Sequence, residues 1–339
     1  PRFSKFYGVE DMMRERIDKD AGSLTKSILF RAKRDKSLAR VGRNALAPYL
    51  DTFLSGSGLA MPGEEANPLS ILTQQSRITR LGEGGISSPD LVTPEARNVQ
   101  GDYLGYVDFI SGPESFGIGI DVRAALGTMK GSDNRLYNKM VDLRTGRTRY
   151  VALDDAASHT VAFPGQDPQA PNLYAMRKGV PTLVPRDEVD YMVPGFGNTV
   201  SAGINMTPMP TAVQAGRQFY MSKFWEQYLP QKEGEVPLVD SLMDDGKTTY
   251  SEFYGRKVGC LTAPFAGTVI KANDKEIVVR GKDGQTHTTS LVQGLPFNRM
   301  TGITYISQVK KGDTIEQGGI LANSNFTDAK TGAMNIGRN

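Results

Sequence analysis

The segment "PTAVQAGRQFYMSKFWEQYLP", residues 210–230, sets a permanent cation among apolar side chains. It reads as a helix: a proline in its first turn, none inside, and a second where it stops. On a helical wheel Val213, Tyr220, Met221, Phe224, Trp225, Tyr228 and Leu229 share one broad face, and Arg217 falls within it. A guanidinium facing an interior must meet an anion or keep its tip in water. The chemistry offered is therefore the binding of an oxyanion by a forked donor, and the oxyanion is either an acid elsewhere in the chain or a group on a ligand.

A second concentration of charge lies at 26–43, "KSILFRAKRDKSLARVGR", where Lys26, Arg31, Lys33, Arg34, Lys36, Arg40 and Arg43 face a single acid, Asp35. Such a run is either a solvated helix face or a surface for phosphate or an acidic partner. Patterns for covalent or metal chemistry are absent. "DDGKTT" at 244–249 has Ser241 where a phosphate-binding loop needs its first glycine, and "FGIGID" at 116–121 lacks the third glycine of a dinucleotide fingerprint. There is no G-x-S-x-G and no H-E-x-x-H. The lone Cys260 forms no internal disulfide, and His159 and His287 have no partner pattern.

The elements that must position these residues are short. The 339 residues hold 37 glycines and 19 prolines, which favour turns and short strands over long helices. Net charge is only +3, so any nucleic-acid surface must be local. The sequence has no run of 18 apolar residues, and the lone cysteine suits a reducing compartment. The expected class is mixed α+β and β-rich. Five segments follow: a helical, basic 1–54; a glycine-bracketed 55–125; an antiparallel β region at 126–200; the helix-bearing 201–235; and a β-rich 236–339. Taken alone, these features name no activity.

From about Arg43 onward the chain resembles the middle of the β subunit of multisubunit DNA-directed RNA polymerases. Four blocks carry the likeness. Residues 53–87 share Asn67-Pro68-Leu69-Ser70, Thr73, Arg77-Ile78, Leu81-Gly82 and Gly84-Gly85 with the segment that lines the RNA–DNA hybrid. Residues 97–120 retain Arg97, Val99, Tyr103, Pro113-Glu114 and Ile118-Gly119. Residues 186–230 keep Val200-Ser201, Gly203, Pro208, Ala215, Arg217, Gln227 and Pro230. The last block, 262–339, resembles the β-rich wall, a barrel-sandwich-like segment ending in Gly-x-Asn at 337–339.

The resemblance implies that Arg217 contacts the triphosphate of the incoming nucleotide, as the one catalytic contribution of this chain. It implies nucleic-acid contacts for Gln74, Arg77, Thr79, Arg80, Arg97, Pro113, Glu114, Lys223 and Gln227. It implies no cofactor or metal on this chain, with Mg2+ held by a β′-like partner. The implied partners are the remaining β-like and β′-like polypeptides, template DNA, the hybrid and nucleoside triphosphates. Departures are deep: "QQSRITRLG" stands where bacteria carry "HKRRISALG", Gly117 and Lys223 replace asparagines, and Glu226 replaces an arginine. They resemble giant-bacteriophage polymerases, whose β subunits are split, and point to the cytoplasm of an infected cell or to the virion. Two other readings are kept open. Residues 262–273 and 309–322 resemble biotinyl- or lipoyl-carrier halves, although the stretch between has no lysine to modify, and the basic helix suits a DNA-binding structural phage protein.

Overall fold

The computed structural model describes residues 5–37, 47–82, 85–113, 115–229 and 234–336. Among the described residues there are eight α-helices, with short strands between some of them: α1 (Val9–Asp35), α2 (Ala47–Gly56), α3 (Pro68–Gln75), α4 (Pro94–Arg97), α5 (Leu153–Ala157), α6 (Ala202–Asn205), α7 (Ala215–Gln227) and α8 (Tyr250–Gly259). The mixed, β-rich class expected from glycine and proline content is what forms.

α1 runs for 27 residues and buries none of its side chains. Lys26, Arg31, Lys33 and Arg34 ride on this solvated helix, while Arg40 and Arg43 lie outside the described residues. Lys130 fastens its first turn through Glu10 and, at 2.8 Å, Asp11. Phe6, just before the helix, packs against the core around Tyr106 and Met140.

Three antiparallel strands, β1 (Arg77–Thr79), β2 (Val107–Asp108) and β3 (Asp121–Ala124), form a small sheet in the order β1-β3-β2. A seven-stranded sheet follows, its strands lying between Met129 and Met192. It is not wholly antiparallel as expected: Tyr191–Met192 pairs parallel to Val161–Ala162. The strand Asn172–Arg177, unmarked in the sequence reading, pairs with Val180–Pro185 through a turn at Lys178-Gly179, both with positive φ.

Beside a two-stranded ribbon, Leu295–Pro296 with Gly302–Ile303, the C-terminal region has two larger open sheets around a shared apolar cluster of Val269, Ile277, Val279, Leu291 and Leu321. One sheet has three strands and the other four, and no barrel closes among the described residues. Leu69 from α3, Trp225 from α7, Tyr250 and Tyr254 from α8, and Met334 and Ile336 share another cluster. Segments that look separate along the chain are thus fused through one core.

Candidate anion-binding and nucleic-acid interface

The scaffold of the site begins at Asn67. Its side-chain oxygen accepts from the amides of Leu69 and Ser70, capping α3, where Pro68 suits the first helical position. Its amide nitrogen donates to the carbonyls of Trp225 (2.8 Å), Glu226 (3.2 Å) and Tyr228 (2.8 Å) at the end of α7. One fully buried asparagine therefore starts one helix and closes another. That is the physical content of the Asn67-Pro68-Leu69-Ser70 motif.

α7 differs from the helix read in the sequence. Residues 210–212 form a 3-10 turn, the α-helix begins at Ala215, and its buried side is Gln218, Ser222 and Trp225. The reason is close approach: a Cβ on Gly203 of α6 would stand 3.0 Å from that of Ser222, so the inward face is chosen by size. Gln218 fits there because its amide donates to the carbonyls of Pro210 and Val213. Tyr220 and Phe224 are left 53% exposed, and Arg217 shares their open side. The expectation that Arg217 looks into the interior is corrected. Among the described residues its guanidinium makes no ion pair, so an internal acid is not its partner. It stands in the first turn of α7, where unpaired amides and the helix dipole favour an anion.

The small sheet supplies a second site. Cross-strand register sets Arg77 opposite Arg123, Thr79 opposite Asp121, and Asp108 opposite Arg123, so these side chains share one face. Arg77 pairs diagonally with Asp121 at 2.9 Å and donates to the Met61 sulfur. Asp108 is consumed by backbone amides, accepting from Ile110 (2.7 Å), Ser111 (3.0 Å) and Ser201 (2.6 Å). These bonds fix the turn that carries Ser111, Gly112 and Pro113. Lys223 of α7 reaches over the same face, tied to Glu226 at 3.0 Å. Together they enclose a pocket of about 180 Å³.

Of the residues expected to touch nucleic acid, Arg77, Pro113 and Lys223 line this pocket. Thr79 lies on the same sheet face, with its hydroxyl accepting from the Leu81 amide at 3.1 Å. Gln74 is spent locally, bonding the Glu64 amide and the Pro62 carbonyl, both at 2.8 Å. Arg80 donates from Nε to the Gly119 carbonyl. Arg97 is a clamp: it donates to the carbonyls of Val92, Pro89, Phe116 and Ile118, and stacks over the Phe116 ring at 5.8 Å. Gly119, with φ +68°, lets that loop approach, since a Cβ there would sit 2.0 Å from the Arg97 carbonyl oxygen. Gln227 is exposed on α7. Glu114 lies outside the described residues.

The sequence reading passed over Arg123 and Ser111. Burial presses the Arg123 pKa below its ordinary value, with Glu226 pulling the other way. The Ser111 hydroxyl, on a side chain 1% exposed, has no hydrogen-bond partner among the described residues. For Arg123 the sequence holds one trace, its i, i+2 spacing from Asp121, which places both on one face of a strand. No group of three or more His, Cys, Asp or Glu side chains converges among the described residues. No helix among them is long and apolar enough to cross a membrane.

The fold is a β-rich scaffold that brings Arg77, Arg123 and Lys223 from distant segments to one pocket. Sequence relatives name the class of protein that it resembles. The chain is 27% identical over 348 aligned positions to DNA-directed RNA polymerase subunit beta of Rubrobacter xylanophilus, covering 98% of this chain and 29% of that protein. It is 25% identical over 311 positions to the subunit of the same name from Thermus thermophilus, covering 88% of this chain and 27% of the relative. The Bifidobacterium adolescentis subunit is 26% identical over 304 positions, covering 85% and 24% respectively. No family model matches the chain. The chain is thus related to RNA polymerase subunit beta, as its motifs led us to expect, and spans about a quarter to three tenths of the length of these relatives.

Proposed function

We propose that this chain is the part of a multisubunit DNA-directed RNA polymerase β subunit that lines the RNA–DNA hybrid channel and reaches the nucleotide site. One observation carries the reading. Three blocks that resemble the β subunit, far apart in sequence, meet at one basic pocket: Arg77 from the first, Pro113 from the second, Lys223 from the third. A polyanion running past such a face is held by its phosphates, independent of sequence. In this reading Arg217, in the first turn of α7, binds the triphosphate of an incoming nucleotide, where a forked cation stabilises charge on the transferring phosphoryl group. Mg2+ belongs in this reading to a β′-like partner, and nucleotide addition requires the assembled enzyme. The divergence of residues 74–82 and 117 from the bacterial pattern supports a phage-encoded enzyme with a divided β subunit, acting in an infected cell.

The test is to purify the tagged chain from the cells that make it and identify its companions by mass spectrometry. The expected companions are polypeptides matching the rest of β and β′, in a complex that extends an RNA primer on DNA. Recovery of the chain alone, or with companions unrelated to polymerase, overturns the reading.

A further inference from the structure

Arg123 is a cation without a partner. On its own sheet it faces Arg77 across one strand pair, and like charges in register repel. Across the other it faces Asp108, whose two oxygens are already taken by three backbone amides. The remaining charges of the pocket pair off: Arg77 with Asp121, and Lys223 with Glu226. Arg123 is left without a direct contact: among the described residues its guanidinium has no hydrogen bond or ion pair, and the nearby acids Glu226, Asp121 and Asp108 act on it only through their fields. A guanidinium stays protonated even when desolvated, so it cannot escape by neutralising. Beside it the buried Ser111 hydroxyl also lacks a partner. A free cation and a free donor side by side make half of a hydrogen-bonded site. The pocket has the volume of roughly six waters at ~30 Å³ each, enough for one tetrahedral oxyanion with its water.

We propose that this pocket binds one phosphate group, held by the Arg123 guanidinium and the Ser111 hydroxyl, with Lys223 and Arg77 supplying the surrounding field. The phosphate belongs either to the backbone of a nucleic-acid strand or to a free phosphate or pyrophosphate ion. Arginine meets it as a fork, donating two parallel N–H bonds to two oxygens, and the serine donates to a third. Asp121 stays on Arg77 and keeps that side chain from filling the space. The inference deepens the proposed function at the same pocket, and because it is read as binding to the chain itself it can fail without that reading failing.

The experiment uses the full chain and three probes: inorganic phosphate, pyrophosphate and a short single-stranded RNA. Binding is followed by calorimetry or fluorescence across a salt series, with thermal melting alongside. Arg123→Gln should weaken pyrophosphate binding about 10- to 100-fold, the loss expected for one charge-assisted contact. It should leave the melting temperature nearly unchanged, because the guanidinium makes no hydrogen bond or ion pair among the described residues and its desolvation offsets the field of the nearby acids. A structural arginine would instead lower it. Ser111→Ala, which deletes a hydroxyl without internal bonds, should weaken binding several-fold at unchanged stability and serves if Arg123→Gln misfolds. If the phosphate is a strand's, Arg123→Gln also weakens RNA binding and lowers its salt slope by about 0.7, and pyrophosphate competes with RNA. If it is free, RNA binding is unaffected while pyrophosphate binding falls. Wild-type affinity of both variants for all three probes, or no binding of any probe to the wild-type chain, overturns the proposal.

Discussion

At the scale of single residues, the molecule distinguishes cations that fasten from cations that wait. Arg97 and Arg80 donate to backbone carbonyls and hold loops. Arg217 and Arg123 have side chains without internal anions, and they are the two candidates for ligand phosphate. For Arg217, exposure makes a clean expectation. Arg217→Ala should change unfolding free energy by no more than about 0.5 kcal/mol, as for a surface substitution. In the assembled enzyme it should slow nucleotide addition by about 30- to 1000-fold, the effect of ~2–4 kcal/mol of lost charge stabilisation. Lysine should restore part of the rate, since it brings charge without the fork. Single-nucleotide addition measured across nucleotide concentrations, beside complex yield, checks this. Normal rates in a poorly assembled complex would make Arg217 a structural residue.

At the scale of elements, the site is built by contacts that join helix ends, strands and turns. Asn67 caps α3 and ties down the end of α7, so Asn67→Ala leaves the Leu69 amide and three carbonyls without this partner, while the Ser70 amide keeps the backbone carbonyl of residue 67. A loss of about 3 kcal/mol is expected by denaturant titration, with the helix carrying Lys223 loosened. Gly119→Ala should cost more than about 1 kcal/mol, because its backbone is left-handed and the added Cβ strikes the Arg97 carbonyl. The turn at 328–332 gives a pH signature. The Asp328 carboxylate accepts from the Thr331 amide at 2.8 Å, the Thr331 hydroxyl at 2.9 Å and the Lys330 amide at 3.0 Å. These bonds, the Thr331 amide foremost, hold its pKa below the ordinary 3.8. The folded form then binds its proton less tightly than the unfolded chain. Its stabilisation is complete above pH 3.8 and is lost as pH falls through the depressed folded value. Asp328→Asn should therefore lower the melting temperature at neutral pH, and the gap to the parent should narrow on acidification. A gap independent of pH would show that the carboxylate charge is not what stabilises the turn.

At the scale of the whole molecule, the described chain is a fused body with one long helix that buries nothing. α1 keeps its backbone hydrogen bonds but lacks the packed face that gives most helices their stability. Its amides should exchange with solvent well before those of the paired strands Gly267–Ala272 and Glu276–Gly281, whose inward residues Val269, Ile277 and Val279 are buried. Hydrogen exchange by mass spectrometry checks this on the full chain, and strong protection of α1 would mean a packing contact that the isolated chain does not have. Binding of the proposed polymerase partners that covers Phe30, at 67% exposure, should slow exchange in α1 specifically.

The sequence by itself determined the β-rich class, the kinship to the β subunit and the existence of a helix carrying Arg217. Those are local or additive properties: turn residues, motif order, an uninterrupted run between prolines. The same local reading turned α7 the wrong way. A hydrophobic pattern assumes that the buried face is the greasy one, whereas here Gly203 comes so close that the small Ser222 faces it, and Gln218 is buried with its amide nitrogen donating to two carbonyls. Only the tertiary structure could decide which cations are spent and which are free. Whether Arg97 meets a phosphate or carbonyls depends in part on where the loop carrying Phe116 and Ile118 comes to rest. Arg123 carried no motif at all. Its significance arises from strand register, which sets it against Arg77, and from Ser111 and Lys223 arriving from either side of the chain to enclose it.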